Sequence, residues 1–523
     1  MTASLPDLDT LTLTELVAQM VVVRTCGYLF DHQIPYPDWE ATNATMQHLV
    51  ELGVGGVIFL GGSAAELALR SQQMQAWAKI PLLIAADIEE GVGQRFPGAT
   101  WFAPPMAISQ IARTNPHIAQ QYAEKMGAIT ATEALAIGIN WILAPVVDVN
   151  NNPDNPVINV RAFGETPAEV SPLANAFIKG AKAYPVLTTA KHFPGHGDTT
   201  TDSHVDLPVI PHSPSRLAEI ELAPFTSAIA SGVDAVMSAH LLIECWDSQY
   251  PATLSKPILT GQLRDRLGFT GLIVTDALMM DAIAKRYGIN ESPVLAVEAG
   301  ADILLMPSDP EGAINAVCEA VKSGQISAQR IRESVERIWH AKRHVGGIKI
   351  EPSNIALKLA KPESLLAASQ ILRCSQIVSG NFPLLPSLNG RNLIVVDNLL
   401  GSNKFLTEQS PAVALPKSLG YTTVLCDRHT PFDPTPETDH LPTLLQLFIR
   451  GNPFRGSSGL TQTGIDWFKK LLSSNNLQAL VIYGSPYILE KLTPAIHLEI
   501  PCIFSYGQMP QAQTVALHLL FNK

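Results

Sequence analysis

Paired cysteines are missing from this chain. Its six cysteines, Cys26, Cys245, Cys318, Cys374, Cys426 and Cys502, lie far apart, and no two form a CxxC spacing. That excludes a disulfide framework or a zinc ribbon and predicts reduced core residues in a reducing compartment. Long apolar runs are also missing: none reaches the ~18 residues that a membrane span needs. Asp7 and Asp9 precede the first basic residue, Arg24, so there is no basic segment followed by an apolar one. An ordinary signal peptide is therefore not expected, and a cytoplasmic location is. Positive charge is in deficit, with a formal net charge of −11. That argues against nucleic acid and anionic membrane as partners.

What is present is a large apolar inventory. Hydrophobic residues make up 46% and charged residues 16% of the 523, enough for more than one folded domain. Up to about residue 350 one pattern recurs: an apolar run, then polar or glycine-rich punctuation, then a helical stretch. The runs cover residues 19–25, 54–62, 80–91, 139–150, 185–197, 233–240, 271–280 and 301–309. They are almost wholly apolar rather than alternating, as strands buried on both faces should be. Eight such units predict a (β/α)8 barrel over residues 1–350. Residues 351–365 are expected to link it to a smaller αβα-layered domain over 366–523. There, residues 365–378 suggest a helix and 392–398, 422–427, 477–486 and 500–508 suggest strands. Residues 430–458, rich in Pro, Thr, Gly and Ser, suggest a long loop.

The densest chemistry lies at 191–208, KHFPGHGDTTTDSHVDLP. Asp202 and His204 stand two apart, a spacing at which a carboxylate can orient and charge an imidazole for acid/base work. The flanking glycines Gly195 and Gly197 suggest backbone freedom and a loop that closes over a ligand. Asp87, Asp148, Lys191, His192, His240 and Asp276 each end a strand candidate, and in a barrel those ends share one face. Any single Asp there could instead cap the next helix; Lys191, His192 and His240 could not. Asp87 with Arg95, Arg161, Lys191 and His192 form a set of donors and acceptors suited to a ligand with many hydroxyls, such as a sugar. Asp276 could add to an electrophilic carbon, stabilise a cation or bind a metal. His192, His196, Asp198, Asp202 and His204 include metal-ligand types, so a metal-dependent hydrolase is a rival. Two features weigh against it: the ligands would crowd into one loop broken by Pro-Gly turns, and Lys191 adds a positive charge beside the ion. Neither a metal nor a cofactor is expected.

KHFPGHGDTTTDSH, TDALMM, PATLSKPILTGQLRDRLGFTGLIV and AGADILLMP together resemble glycoside hydrolase family 3, most closely its β-N-acetylglucosaminidase branch. The resemblance covers the first ~350 residues, and more weakly the entry into the second domain. It implies a retaining exo-acting hydrolase with Asp276 as nucleophile, His204 as acid/base and Asp202 as its dyad partner. It also implies that Asp87, Arg95, Arg161, Lys191 and His192 hold the sugar hydroxyls, and that the carbohydrate is a terminal N-acetylglucosamine, from peptidoglycan fragments. A family 3 β-glucosidase and an N-acetylglucosaminide phosphorylase are the alternatives within the fold. Two departures stand out. Relatives usually read Asp-x-Glu-Gly-Gly-x-Val-x-Arg where this chain has DIEEGVGQR, so Glu90 replaces a glycine, and Ala162 stands where serine is common.

Overall fold

The computed structural model describes residues 5–37, 39–200, 207–347, 350, 354–430, 440–451 and 458–522. Eight parallel strands make one sheet: β1 (Val21–Cys26), β2 (Gly56–Leu60), β3 (Leu83–Ala86), β4 (Trp141–Ile142), β5 (Leu187–Phe193), β6 (Ala235–Ser238), β7 (Leu272–Val274) and β8 (Leu304–Leu305). They pair in sequence order, and β8 pairs with β1. The ring closes through a parallel bridge between Val274 and Ile303. The expected barrel is thus the observed one. Its strands are buried along nearly their whole length, which is why they carry no polar alternation.

The outer helices form where caps and apolar stripes coincide. Thr166 accepts from the Glu169 amide, Glu169 reaches back to Thr166, and Pro167 opens the helix Pro167–Ala181. Val170, Leu173, Ala174, Phe177, Ile178 and Ala181 then form its buried stripe. That stripe meets the helix Pro116–Ala136 at very close range. A Cβ on Gly127 would lie 2.1 Å from the Phe177 carbonyl, and one on Gly180 1.9 Å from that of Glu124. Alanine at either site would wedge the two helices apart.

The base of the barrel is locked by charge. Asp302, fully buried at the start of β8, takes Arg337 at 3.1 Å, Arg330 at 3.4 Å and Arg264, and also the Ser334 hydroxyl and the Ile273 amide. This residue of the AGADILLMP motif is therefore structural and lies opposite the strand ends that carry the site.

The second domain is a six-stranded sheet of β9 (Ile377–Ser379), β10 (Arg391–Val396), β11 (Thr422–Cys426), β12 (Thr443–Ile449), β13 (Leu477–Gly484) and β14 (Cys502–Ser505). The order is β9-β14-β13-β12-β10-β11, all parallel except the edge strand β9. Its side chains sort into two cores by parity. Leu445, Leu447 and Ile449 pack with Trp467, Phe468 and Leu471 of the helix Gln462–Ser473. Leu444 and Phe448 pack with Ala516, Leu517 and Leu520 of the helix Pro510–Phe521. The layered αβα expectation holds.

Four expectations need correction. β12 lies inside the stretch expected to be a loop: TLLQLFI is a fully buried central strand, and its neighbours' Pro, Gly and Ser had hidden it. The expected helix over 365–378 runs Pro362–Cys374 instead, starting inside the expected linker and giving way to β9. A short helix, Ile355–Lys358, also occupies that linker. Cys245 and Cys374 are exposed, not core; the other four cysteines are buried, and all six are free. Among the described residues no helix is long and apolar enough to cross a membrane.

Candidate active site

Every barrel strand points its C-terminal end to the same face, so residues just past those ends meet there. Asp87 follows β3, Asp148 follows β4, Lys191 and His192 end β5, His240 follows β6 and Asp276 follows β7. Of these sequence-predicted residues, Asp87 and Lys191 join Arg161 around a group that the sequence did not single out, Glu89.

Glu89 is buried and accepts both Nε and Nη2 of Arg161 at 2.8 Å, a bidentate fork. Its Oε1 also lies 2.6 Å from Lys191 Nζ, which donates to Asp87 Oδ1 at 2.7 Å. The result is a continuous ladder, Asp87–Lys191–Glu89–Arg161. Burial pushes the Glu89 carboxyl up, but the Arg161 and Lys191 charges outweigh it and hold the group well below the usual carboxylate range. Burial likewise pulls Lys191 down, and Asp87 and Glu89 more than reverse it, so its ammonium is held above its ordinary value. Arg161, buried too, is raised chiefly by Glu89. Glu89, Lys191 and Arg161 are therefore charged at neutral pH. Arg95 joins through the backbone, its Nε donating to the Asp87 carbonyl at 3.0 Å.

A second network stands beside the first. The β5–β6 register slips between Lys191 and Phe193, which takes the His192 amide out of the ladder. That amide turns to Asp148, with both carboxylate oxygens at 3.1 Å, and His192 Nδ1 lies 2.8 Å from Oδ2. The His196 amide donates to the same carboxylate at 2.7 Å. Buried Asp148 would be raised by desolvation, but His192 and His196 hold it below its ordinary value. His196 is pushed down to about 4 by burial, against the opposing pull of Asp148 and, more distantly, Asp276. It is a neutral imidazole within electrostatic reach of Asp276. His240 is fully buried, with Nδ1 2.8 Å from Thr253 Oγ1 and Nε2 donating to the Ala277 carbonyl at 3.0 Å. It holds the backbone next to Asp276. Asp276 is half-buried, and its Oδ1 accepts the Ala277 amide at 2.8 Å. None of Asp87, Asp148 and Asp276 is a helix N-cap; Asp309, past β8, is.

Among the described residues the candidate metal ligands turn to different partners. His192 Nδ1 meets Asp148 and His196 Nδ1 lies 2.9 Å from Thr199 Oγ1, while Asp198 faces His212 at 2.9 Å and Arg216 at 3.3 Å. Asp198, His212 and Glu221 lie close enough to share an ion, but Arg216 already grips Glu221 through both oxygens at 2.9 and 3.0 Å. A guanidinium occupies the charge that a cation would need to meet. The glycines of the 191–208 stretch also have another reason than freedom. A Cβ on Gly197 would lie 1.7 Å from the Val149 carbonyl, so the backbones touch there. Asp202 and His204, the expected dyad, lie outside the described residues.

The segment between Asp87 and Arg95 is firmly packed. Gly91 has φ +85°, a left-handed conformation that favours glycine. The Glu90 carbonyl accepts from the Phe102 amide at 2.8 Å, and the Gly93 amide donates to the Thr100 carbonyl at 2.8 Å. Glu90 itself is buried, and its carboxylate takes Trp101 Nε1 and Arg450 Nη2, each at 2.9 Å. Arg450 follows β12 of the second domain. Nothing in the sequence pattern signals that pairing, because its members are 360 residues apart.

The model of the glycosyl hydrolase family 3 N-terminal domain matches residues 12–341, and that of the bacterial family 3 C-terminal domain matches residues 385–522. The chain belongs to glycosyl hydrolase family 3. This family 3 enzyme is 30% identical to beta-hexosaminidase A of Pseudoalteromonas piscicida, over 91% of its own length and 86% of the relative's. It is 36% identical to a beta-hexosaminidase of Thiobacillus denitrificans over 49% of its length and 72% of that protein's. Among solved structures it matches a family 3 beta-N-acetylglucosaminidase from Paenibacillus sp. str. FPU-7, with a TM-score of 0.81, 30% identity, and 98% and 97% of the two chains covered. The family 3 enzyme is thus a glycoside hydrolase, with a carbohydrate as substrate.

Proposed function

We propose that this glycoside hydrolase is a retaining exo-β-N-acetylglucosaminidase that removes terminal N-acetylglucosamine from β-glycosides, among them peptidoglycan fragments, in the cytoplasm. The observation that carries the reading is the charged ladder Asp87–Lys191–Glu89–Arg161 set at the same strand ends as Asp276. Fixed, buried donors and acceptors of both signs suit the ring hydroxyls of one terminal sugar. Preference for the acetamido sugar rests on similarity to proteins named for that activity.

In this reading Asp276 attacks the anomeric carbon and forms a glycosyl-aspartate as the aglycone bond breaks. His204, charged and oriented by Asp202, protonates the leaving oxygen, then takes a proton from the water that releases the sugar. Most retaining glycosidases use two carboxylates for these tasks; here an imidazole replaces one. Asp87, Arg95, Arg161, Lys191 and His192 hold the sugar, and Asp148 orients His192. Residues 1–350 make the catalytic barrel, 351–365 the connection and 366–523 the second domain.

Rates on chromogenic N-acetylglucosaminide and glucoside, with and without phosphate, test the reading. Faster N-acetylglucosaminide cleavage, indifferent to phosphate, is expected. A faster glucoside, or a sugar phosphate as product, would overturn it. Asp276→Ala is expected to abolish turnover while sugar still binds, and retained turnover would remove Asp276 from its role. His204→Ala is expected to slow poor leaving groups most; equal slowing for activated aryl groups would count against proton donation.

A further inference from the structure

We infer that Arg450 of the second domain is a positioning residue for the sugar site, acting through Glu90 on the loop that carries Asp87, Glu89 and Arg95. The inference rests on the carbohydrate-binding reading above. Glu90 is a buried carboxylate, and such a group needs a partner. Its partner comes from the other domain: Arg450 Nη2 stands 2.9 Å from Glu90 Oε1, while Trp101 Nε1 holds Oε2. Glu90 directly adjoins Glu89, the centre of the ladder. A shift of the Glu90 backbone would therefore move the carboxylate that fixes Lys191 and Arg161.

A second contact points the same way. Tyr487, also of the second domain, receives the Asn150 side-chain amide at 2.7 Å and donates to Glu165 Oε1 at 2.8 Å. Asn150 Oδ1 in turn accepts the Asn159 amide at 2.8 Å, in the turn that carries Arg161. Gly451, next to Arg450, lies so close to this turn that a Cβ would be 3.0 Å from the Pro156 carbonyl. The second domain thus braces both loops that bear the ladder, the one after β3 and the one after β4. Arg450, Gly451 and Tyr487 contribute geometry to the site through these two loops.

The test is a double-mutant cycle on the full chain with Arg450→Ala and Glu90→Gln, read as KM and kcat separately on a chromogenic glycoside. A KM raised roughly tenfold in each single variant, with kcat within about threefold, is expected, because one charge-assisted hydrogen bond is lost in each. The double variant is expected to be no worse than the worse single one. Arg450→Lys keeps the charge and is expected to recover most of the loss, and it serves if Arg450→Ala does not fold. Unchanged KM in every variant, or losses that multiply, would overturn the proposal. Since Arg450 acts on a loop and not on one sugar substituent, the cycle reads the same on an N-acetylglucosaminide or a glucoside. Failure of the acetamido preference would therefore leave it standing.

Discussion

Replacing Glu89 by Gln is expected to damage this enzyme more than any other single-atom change outside the reacting groups. The swap preserves shape and removes one negative charge from between two buried cations. Lys191 loses its 2.6 Å partner and keeps Asp87; Arg161 loses the anionic half of a bidentate fork. Breaking a buried pair on one side costs about 3–5 kcal/mol. Charge-assisted hydrogen bonds contribute about 1.5–3 kcal/mol each. If Lys191 and Arg161 each lose half of one such bond's worth of aim at the sugar, kcat/KM falls roughly 10- to 100-fold. The pH profile supplies the sharper assay. Burial alone would pull the Lys191 ammonium down, and Asp87 and Glu89 hold it up. With Glu89 neutral the proton leaves at lower pH, so the alkaline loss of kcat/KM that lies beyond deprotonation of the acid His204 moves toward neutrality. A variant with kcat/KM within threefold of wild type and an unmoved alkaline limb would refute the ladder's role.

Other outcomes follow from groups away from the ladder. Lys342 is buried against Trp339 and Gln19, and burial pushes its ammonium from 10.5 down to about 7. The unfolded chain holds that proton where the folded chain does not, so stability rises with pH from about 7 toward 10. Lys342→Met is expected to flatten that rise in thermal melts; an unchanged slope would count against it. His196 is expected to show no ring titration by NMR between pH 5 and 8, since its value lies near 4. Asp302→Ala leaves three arginines facing one another at the barrel base, an expected loss of about 3–5 kcal/mol with kcat unchanged in the surviving folded fraction. A melt within about 0.5 kcal/mol of wild type would show that the arginines find other partners.

The barrel was legible because its strands are buried on both faces, and such runs stay apolar from end to end. β12 escaped notice although it is equally apolar, because the Pro, Gly and Ser around it outweighed seven residues of strand. β9 is short, two of its three residues exposed, and it follows closely on a helix, so nothing marked it off. At the site, strand-end position sufficed to gather Asp87, Lys191, His192 and Asp276. It could not rank Glu89 above Glu90, since adjacent carboxylates look alike until their partners, 72 and 360 residues away, are in place. Gly197 shows the converse: a glycine read as slack is a point where two backbones meet. His204 and Asp202 stood out by spacing and family resemblance alone.

The Glu90–Arg450 pair also constrains ancestry. A carboxylate sealed at that spot before the guanidinium existed would have cost several kcal/mol, enough to leave few folded molecules in a marginally stable protein. The guanidinium arriving first would have cost less, because its side chain is 11% exposed and that of Glu90 only 1%. The lineage should therefore contain intermediates with arginine at 450 and an uncharged residue at 90, and none with glutamate at 90 and an apolar residue at 450.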